Sequence, residues 1–381
     1  MRKRFMVLAL AGVMAVLPLA GCSKTLEDNE VVATVDGDEI SAGLANFYAR
    51  MNQAQYETWY AGYMGDNMWV SEAEEGKTYE ESVKDQIMED LQNMYLLEDH
   101  MKDYEIEISE QEENAVKKAA EEFDEANGLE EKEKVSGSAG NVERLLTLLT
   151  IKQRVGDAIR ATADMEVSDE EAAQKAMKYV TFSYTTTDEE GNSTPLTDEE
   201  KEDLKKEAEE FAEGAAAAGD FAAYVTEKGY EAKDATFDAE ETLTIPAELA
   251  KAADKLEEGG VTGVVENDNG LYVAKVTSLL DKDATEAEKQ NIISQRQQEK
   301  YDEVIEGWRK DADISVMEKV WKKIDFNELS VTMYVDDNDP YADEVKTDDQ
   351  VEEDEEEEED TAEKEPAGAE DEAGNAEGTE E

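Results

Sequence analysis

Apolar positions fall into three textures along the chain. Residues Phe5 to Leu17 form an almost unbroken apolar run, followed by a polar stretch from Ser23 to Glu30. Val31-Val32-Ala33-Thr34-Val35 then has strand content, Asp36-Gly37-Asp38 turn chemistry, and Ile40-Ser41 leads into a helix. From there to about Met165 the spacing is helical. Ile87, Leu91, Tyr95 and Leu96 recur every three or four residues, and Ser109 with Glu112 makes a capping box that opens a further helix. Glu130 to Gly140, charged and then rich in Ser and Gly, predicts a loop before an apolar helix from Val142 to Ile159.

The second texture begins near Ser168. A capping box, Ser168 to Glu171, predicts a short helix that runs into a strand, Tyr179 to Tyr184. Val180, Phe182 and Tyr184 alternate onto one face of that strand and Thr181 and Ser183 onto the other. Thr197 and Glu200 cap a helix striped by Leu204, Ala208, Phe211 and Ala215, and Asp220 starts another with Phe221, Tyr224 and Val225. A polar stretch, a small helix around Leu249 and the turn Asn267-Asp268-Asn269-Gly270 follow, the last joining Val261–Glu266 to Leu271–Val276 as a hairpin. The order is strand, helices, strand, strand.

Thr285 to Lys310 returns to helical spacing, with Ile314 to Ile324 and a strand at Val331 to Val335 after it. This closing segment is too short to be a domain, so it is expected to pack on the first helical region, with the middle segment as an insertion. Beyond Asp336 no core can form.

Composition adds an address and several exclusions. The formal charge is −63, of which residues 336–381, with 24 acids and two lysines, carry −22. A surface this acidic repels phosphate, so nucleic acid is excluded as a partner. Arg2-Lys3-Arg4, the apolar run, and Leu19-Ala20-Gly21-Cys22 form a leader that resembles a bacterial lipobox, whose cysteine thiol takes a diacylglyceryl group. The apolar run is shorter than the ~20 residues of a membrane-spanning helix. Cys22 is the lone cysteine and His100 the lone histidine, which excludes disulfides within the chain, thiol catalysis and Cys- or His-rich metal sites. No cofactor or metal is expected.

The lipobox, the "VATVDGDEIS" opening, the helical region and the compact middle unit together resemble the PrsA-type extracytoplasmic foldase lipoproteins and the related SurA chaperone. In these a parvulin-type peptidyl-prolyl isomerase unit sits between the halves of a helical chaperone domain. Gly219-Asp220-Phe221 resembles the family's G-D-F helix start, "IPAELAKAADKLEEGGVTGVV" its following stretch, and "NGLYVAKV" its closing strand. The fold class implied is α+β: a mainly helical chaperone domain, an inserted parvulin-like β-α-β-β domain and a disordered acidic tail. The boundaries are a leader at 1–21, a linker at 22–30 after lipidated Cys22, helical region 31–165, parvulin-like domain 168–282, C-terminal helical segment 285–335 and tail 336–381. The resemblance implies a lipid-anchored protein on the outer face of a bacterial cell membrane that binds unfolded exported proteins, and it allows a homodimer.

The departures from the family bear on catalysis. Laying the family's "A-S-H-I-L" strand on Val180 to Tyr184 puts Phe182 at the first histidine, and Tyr272 replaces the second. The proline-pocket Met and Phe fall near Ile245 and Leu249. Phe182, Tyr184, Ile245, Leu249 and Tyr272 are thus the candidate pocket, with the Tyr272 hydroxyl as the one polar group, and isomerase activity is expected to be weak or absent. The same five residues also suit an ordinary small core, and the two readings differ on whether Phe182 and Tyr272 face each other across an open groove. For client binding, the aromatic and methionine cluster Tyr56, Trp59, Tyr60, Tyr63, Met64 and Trp69 is the candidate surface. A surface lipoprotein serving as a docking or solute-binding module is the alternative, although the latter requires alternating strands and helices in two lobes. Plentiful carboxylates on an acidic surface give no reason to expect a hydrolase.

Overall fold

The computed structural model describes residues 14–18, 26–65, 67–187, 193–238 and 245–333. Cys22, the residues just before it and the acidic tail at 336–381 lie outside them. The chain divides into two units, Met1–Gly156 with Ile305–Glu381, and Asp157–Val304.

The first unit opens with β1 (Met14–Pro18), β2 (Val31–Val35) and β3 (Asp38–Ser41). Asp36 and Gly37, at φ 50 and 95, make the turn between β2 and β3. α1 (Ala42–Met64) leaves β3 directly, and a small hairpin of β4 (Glu72–Glu74) and β5 (Lys77–Thr78) precedes α2 (Tyr79–Asp99). α3 (Glu110–Ala126) starts at the expected Ser109 box. The segment predicted as loop contains a short helix, α4 (Leu129–Lys134), before α5 (Ala139–Arg160). Three glutamates and two lysines outweigh the missing apolar stripe there, since such residues propagate a helix well without any burial.

The second unit holds β6 (Lys175–Ser183), the hairpin β7 (Thr185–Thr187) and β8 (Ser193–Pro195), α6 (Asp198–Ala217), α7 (Phe221–Glu227) and β9 (Lys233–Phe237). α8 (Ala247–Ala253), β10 (Val265–Asn267) and β11 (Gly270–Ser278) complete it, with the expected two-residue turn between β10 and β11. The helix expected after Ser168 is one turn only, closed by Glu171 N donating to Ser168 Oγ at 3.1 Å. β9 falls in the stretch read as polar. It is the edge of the antiparallel sheet β10-β11-β6-β9, where one face is solvated and an apolar run is not required.

α9 (Lys282–Asp311) leads back to the first unit, which ends with β12 (Ile314–Val316), α10 (Glu318–Trp321) and β13 (Leu329–Met333). β12 pairs with β2, forming the three-stranded sheet β12-β2-β3, and β13 pairs with β1. Trp321, Ile324, Phe326 and Val331 enter the same buried cluster as Phe47, Leu91 and Leu145. Returning residues therefore finish a core that the first 156 leave open.

A polar ladder along α1 holds the returning strand. Arg50, 5 % exposed, donates to Asn46 Oδ1 and to Gln53 Oε1, and its guanidinium is drawn down to about 10 by burial. Gln53 Nε2 reaches the carbonyls of Phe326 and Leu329. Glu57 accepts from Gln53 Nε2, Trp69 Nε1, Ser330 Oγ and the Val331 amide at 2.6 to 2.8 Å. The Phe326 and Leu329 carbonyls and the Ser330 and Val331 donors that this stretch turns toward α1 are thus met inside the unit.

Two capping carboxylates give the fold an acid-sensitive element. Glu81 lies below the usual carboxylate range because the Thr78 amide bonds it, and Glu200 because the Thr197 hydroxyl does. A lowered folded value means a contribution present above the unfolded value of about 4 and lost as pH falls through the folded one. Protection from amide exchange at Glu81 and Glu200 is expected to fall on acidification below about pH 4, ahead of the interiors of α2 and α6. Unchanged protection at pH 3 would remove the boxes from the account.

Candidate functional site

Strand alternation decides what faces what in the second unit. On one face of the sheet, Val180, Phe182 and Tyr184 of β6 and Leu271 and Val273 of β11 pack against α6 and α7. Phe182 meets Phe211 and Tyr230 with ring centroids 5.3 and 4.6 Å apart. Tyr184 donates to Glu266 Oε1 at 2.6 Å, and its hydroxyl is pushed up to about 12 by burial and that bond. Glu266 is in turn held low by the Lys205 ammonium and by Tyr184. These are structural bonds of a helix-covered face.

On the other face, Tyr272, Ala274 and Val276 of β11 join Met177, Phe237, Ile245 and Leu249. Three of the five candidate pocket residues, Ile245, Leu249 and Tyr272, therefore come together, while Phe182 and Tyr184 belong to the opposite face. Phe182 and Tyr272 do not face each other across a groove: the register sets Tyr272 opposite Thr181 and Phe182 opposite Leu271, which favours the ordinary-core reading of Phe182. Because side chains alternate with period two, Phe182 points to the face that α6 and α7 cover and Tyr272 to the other. A Cβ on Gly270 would run into the Phe182 carbonyl, so the hairpin can close this tightly only with glycine there.

This face offers little to a proline ring. Leu249 is fully buried, and Ile245 and Tyr272 are 6 and 7 % exposed. Thr181, Tyr179 and Tyr272 bring hydroxyls to it, and among the described residues none of the three has a side-chain hydrogen bond. The lone histidine sits in the first unit, stacked on Trp308 at 3.9 Å and bonded through Nδ1 to Asp103. Among the described residues no group of carboxylates, histidine and cysteine is placed to hold a metal.

The α1 cluster separates into core and surface. Trp69 is 6 % exposed, 4.8 Å from Phe326, and Tyr56 is half-buried against Trp69 and Tyr79. These two belong to the core, which corrects their place in the candidate surface. Trp59, Tyr60, Tyr63 and Met64 are exposed at the end of α1, Tyr63 at 93 %. Their spacing of three and four puts them on one side of the helix, and the neighbouring Val70 is exposed as well. Natural surfaces seldom group large apolar side chains in this way without a use. A cleft of about 720 Å³ near the end of α2 was not readable from the sequence. Ile106, Val116 and Ile151 come from a loop and two separate helices, and no local pattern joins them. Asp99 at its edge is pushed up by burial and by the charge of Asp38.

Residues 185–290 match the family model described as a PPIC-type PPIase domain, and residues 1–136 the one described as a SurA-like N-terminal domain. No curated protein matches the chain. Among solved structures the chain is similar to one from the SurA-like chaperones PEB4 and Cj1289 of Campylobacter jejuni, at 12 % identity and TM-score 0.27, covering 76 % of this chain and 100 % of that one. The foldase protein PrsA of Streptococcus pneumoniae matches at 16 % and 0.30, covering 68 and 99 %. PrsA of Bacillus cereus matches at 18 % and 0.30, covering 79 and 99 %. At these identities and TM-scores the solved structures carry no argument, and the family matches stand for residues 1–136 and 185–290.

Proposed function

We propose that this chain, which joins a SurA-like N-terminal domain to a PPIC-type PPIase domain, is a lipid-anchored foldase on the outer face of a bacterial membrane that works mainly as a chaperone. The observation that carries the reading is the exposed strip Trp59, Tyr60, Tyr63 and Met64 on α1 of the SurA-like region. Aromatic and methionine side chains adapt to many apolar sequences, which suits unfolded clients. The lipobox ending at Cys22 supports anchoring through two or more acyl chains, enough for stable attachment where one chain is marginal. Cys22→Ser is expected to move the protein from the membrane fraction to the soluble one, and its retention would overturn the anchor.

The isomerase-type unit is proposed to have lost most catalysis. Turning an Xaa-Pro bond crosses a barrier of about 20 kcal/mol, and rate comes from groups that favour the twisted amide over the planar one. Phe182 and Tyr272 stand in place of the family's two histidines; Phe182 has no polar group, and Tyr272, paired across the strands with Thr181, supplies a hydroxyl. One neutral hydrogen bond is worth about 1 kcal/mol, so acceleration of a proline tetrapeptide is expected to stay below about tenfold. Exchange spectroscopy that finds catalysis at the level of ordinary parvulins would overturn this. The foldase reading as a whole is tested by suppression of aggregation of an unfolded exported protein, and a protein inert there is not a chaperone.

A further inference from the structure

One strand of the N-terminal unit comes from a segment that cleavage before Cys22 removes. β1, Met14–Pro18, lies antiparallel along β13 with Val16 opposite Val331. The other edge of β13 is already occupied. The Val331 amide donates to Glu57 Oε2 at 2.7 Å, the Met333 amide donates to Thr58 Oγ1 at 2.8 Å, and the Leu329 carbonyl accepts from Gln53 Nε2 at 2.5 Å. Backbone groups of successive residues point to opposite edges of a strand, so those of Ser330 and Thr332 face β1, opposite Leu17 and Ala15. Loss of the leader strips these groups of their partners while α1 continues to hold β13 extended.

We propose that β13 is a strand-addition site: once the leader is gone, it captures an extended, uncharged apolar segment of an exported client. The proposal rests on the lipid-anchor reading above. The occupant follows from what is seated there now, the uncharged Met-Ala-Val-Leu-Pro of the leader. Main-chain bonds supply affinity in strand addition and are indifferent to most side chains, which suits a site that must accept many sequences. β13 itself, Leu-Ser-Val-Thr-Met, has no charge and no proline, the residues that normally guard a free edge. The end of β13 is fixed to Thr58, the residue before exposed Trp59, so a captured strand emerges beside the aromatic strip. Until cleavage the leader acts as an internal competitor. Tethered by a short link to β2, it is present at an effective concentration of about millimolar, which closes the edge to a weaker outside peptide.

The test uses a labelled peptide of leader residues 12–20, the protein starting at residue 22 with Cys22→Ser, and the uncleaved full chain. The shortened protein is expected to bind at least about tenfold more tightly than the uncleaved one. N-methylation at the Ala15 or Leu17 position should abolish binding, whereas at Val16 it should not, and bound peptide should slow amide exchange at Ser330 and Thr332. The full chain carrying Leu17→Pro frees the edge without shortening the protein and is expected to bind as the shortened form does, so a misfolded truncation does not decide the matter. Equal binding by the three proteins, indifference to the methyl position, or pairing of two chains through β13 in place of peptide binding would overturn the proposal. Acylation of Cys22 is read separately, from the mass of protein extracted from membranes: an unmodified cysteine overturns the anchor reading and leaves the peptide result standing.

Discussion

Glu57→Ala is expected to lower the stability of the N-terminal unit by about 3 to 5 kcal/mol, a third or more of what a typical domain possesses. The carboxylate receives four donors at 2.6 to 2.8 Å, from Gln53, Trp69, Ser330 and the Val331 amide. Alanine leaves Trp69, Ser330 and the Val331 amide without this acceptor, while Gln53 keeps the Phe326 and Leu329 carbonyls, and each unmet donor costs about 1 kcal/mol or more in a partly buried place. Glu57→Gln keeps one acceptor oxygen but turns an amide toward other donors, so about half the loss is expected. Urea unfolding followed by tryptophan fluorescence reads this unit alone, because Trp59, Trp69, Trp308 and Trp321 all lie within it. A midpoint unchanged in Glu57→Ala would show that the returning strand is held by packing of Val331 and Phe326 and not by the ladder.

The second large effect concerns function with stability held constant. Replacing Trp59, Tyr60 and Tyr63 by serine together is expected to raise at least about tenfold the concentration needed to keep an unfolded client from aggregating, since each large aromatic contributes about 1.5 to 3 kcal/mol when covered. All three are exposed in the free protein, so the unfolding midpoint should shift by little more than about 0.5 kcal/mol. Trp69→Phe, a change inside the core, is the contrasting variant: it should cost stability through the lost bond to Glu57 and leave client protection intact. Undiminished protection by the triple variant would move the client surface elsewhere, with the cleft edged by Asp99 as the next place to look.

Local patterns were legible wherever the cause was local. The boxes at Ser109 and Thr197, the Asn267–Gly270 turn and the strand content of Val31–Val35 each depend on residues within four positions, and each forms as expected. Which side Phe182 takes was not legible because a strand shows its two faces in the sequence but not which face a distant helix covers; α6 and α7 supply that answer from residues up to 45 positions on. β9 was missed because Lys233 and Asp234 suit an edge strand and resemble a loop. Tyr56 and Trp69 were indistinguishable from Tyr60 and Tyr63 by type, since Trp69 packs on Phe326, more than 250 residues away, and Tyr56 packs on Trp69. The pairing of β12 with β2 is likewise invisible to any window, with Thr34 and Ser315 bonded across 281 positions.

That pairing constrains the order in which the chain can fold. The sheet of the second unit is built wholly from residues 175–278 and can close as soon as they are made. The first unit must wait for β12 and β13, although most of its helices are synthesised before the second unit begins. At about 5 to 20 residues per second, synthesis of the insertion alone holds α1 and its partners incomplete for about ten seconds or more. Joining ends so far apart costs loop entropy, and a middle unit already compact shortens the free span that must be closed. A middle unit that folds first is thus expected to speed assembly of the other. Variants that unfold the middle sheet should slow refolding of the tryptophan-bearing unit even when they leave its equilibrium stability untouched.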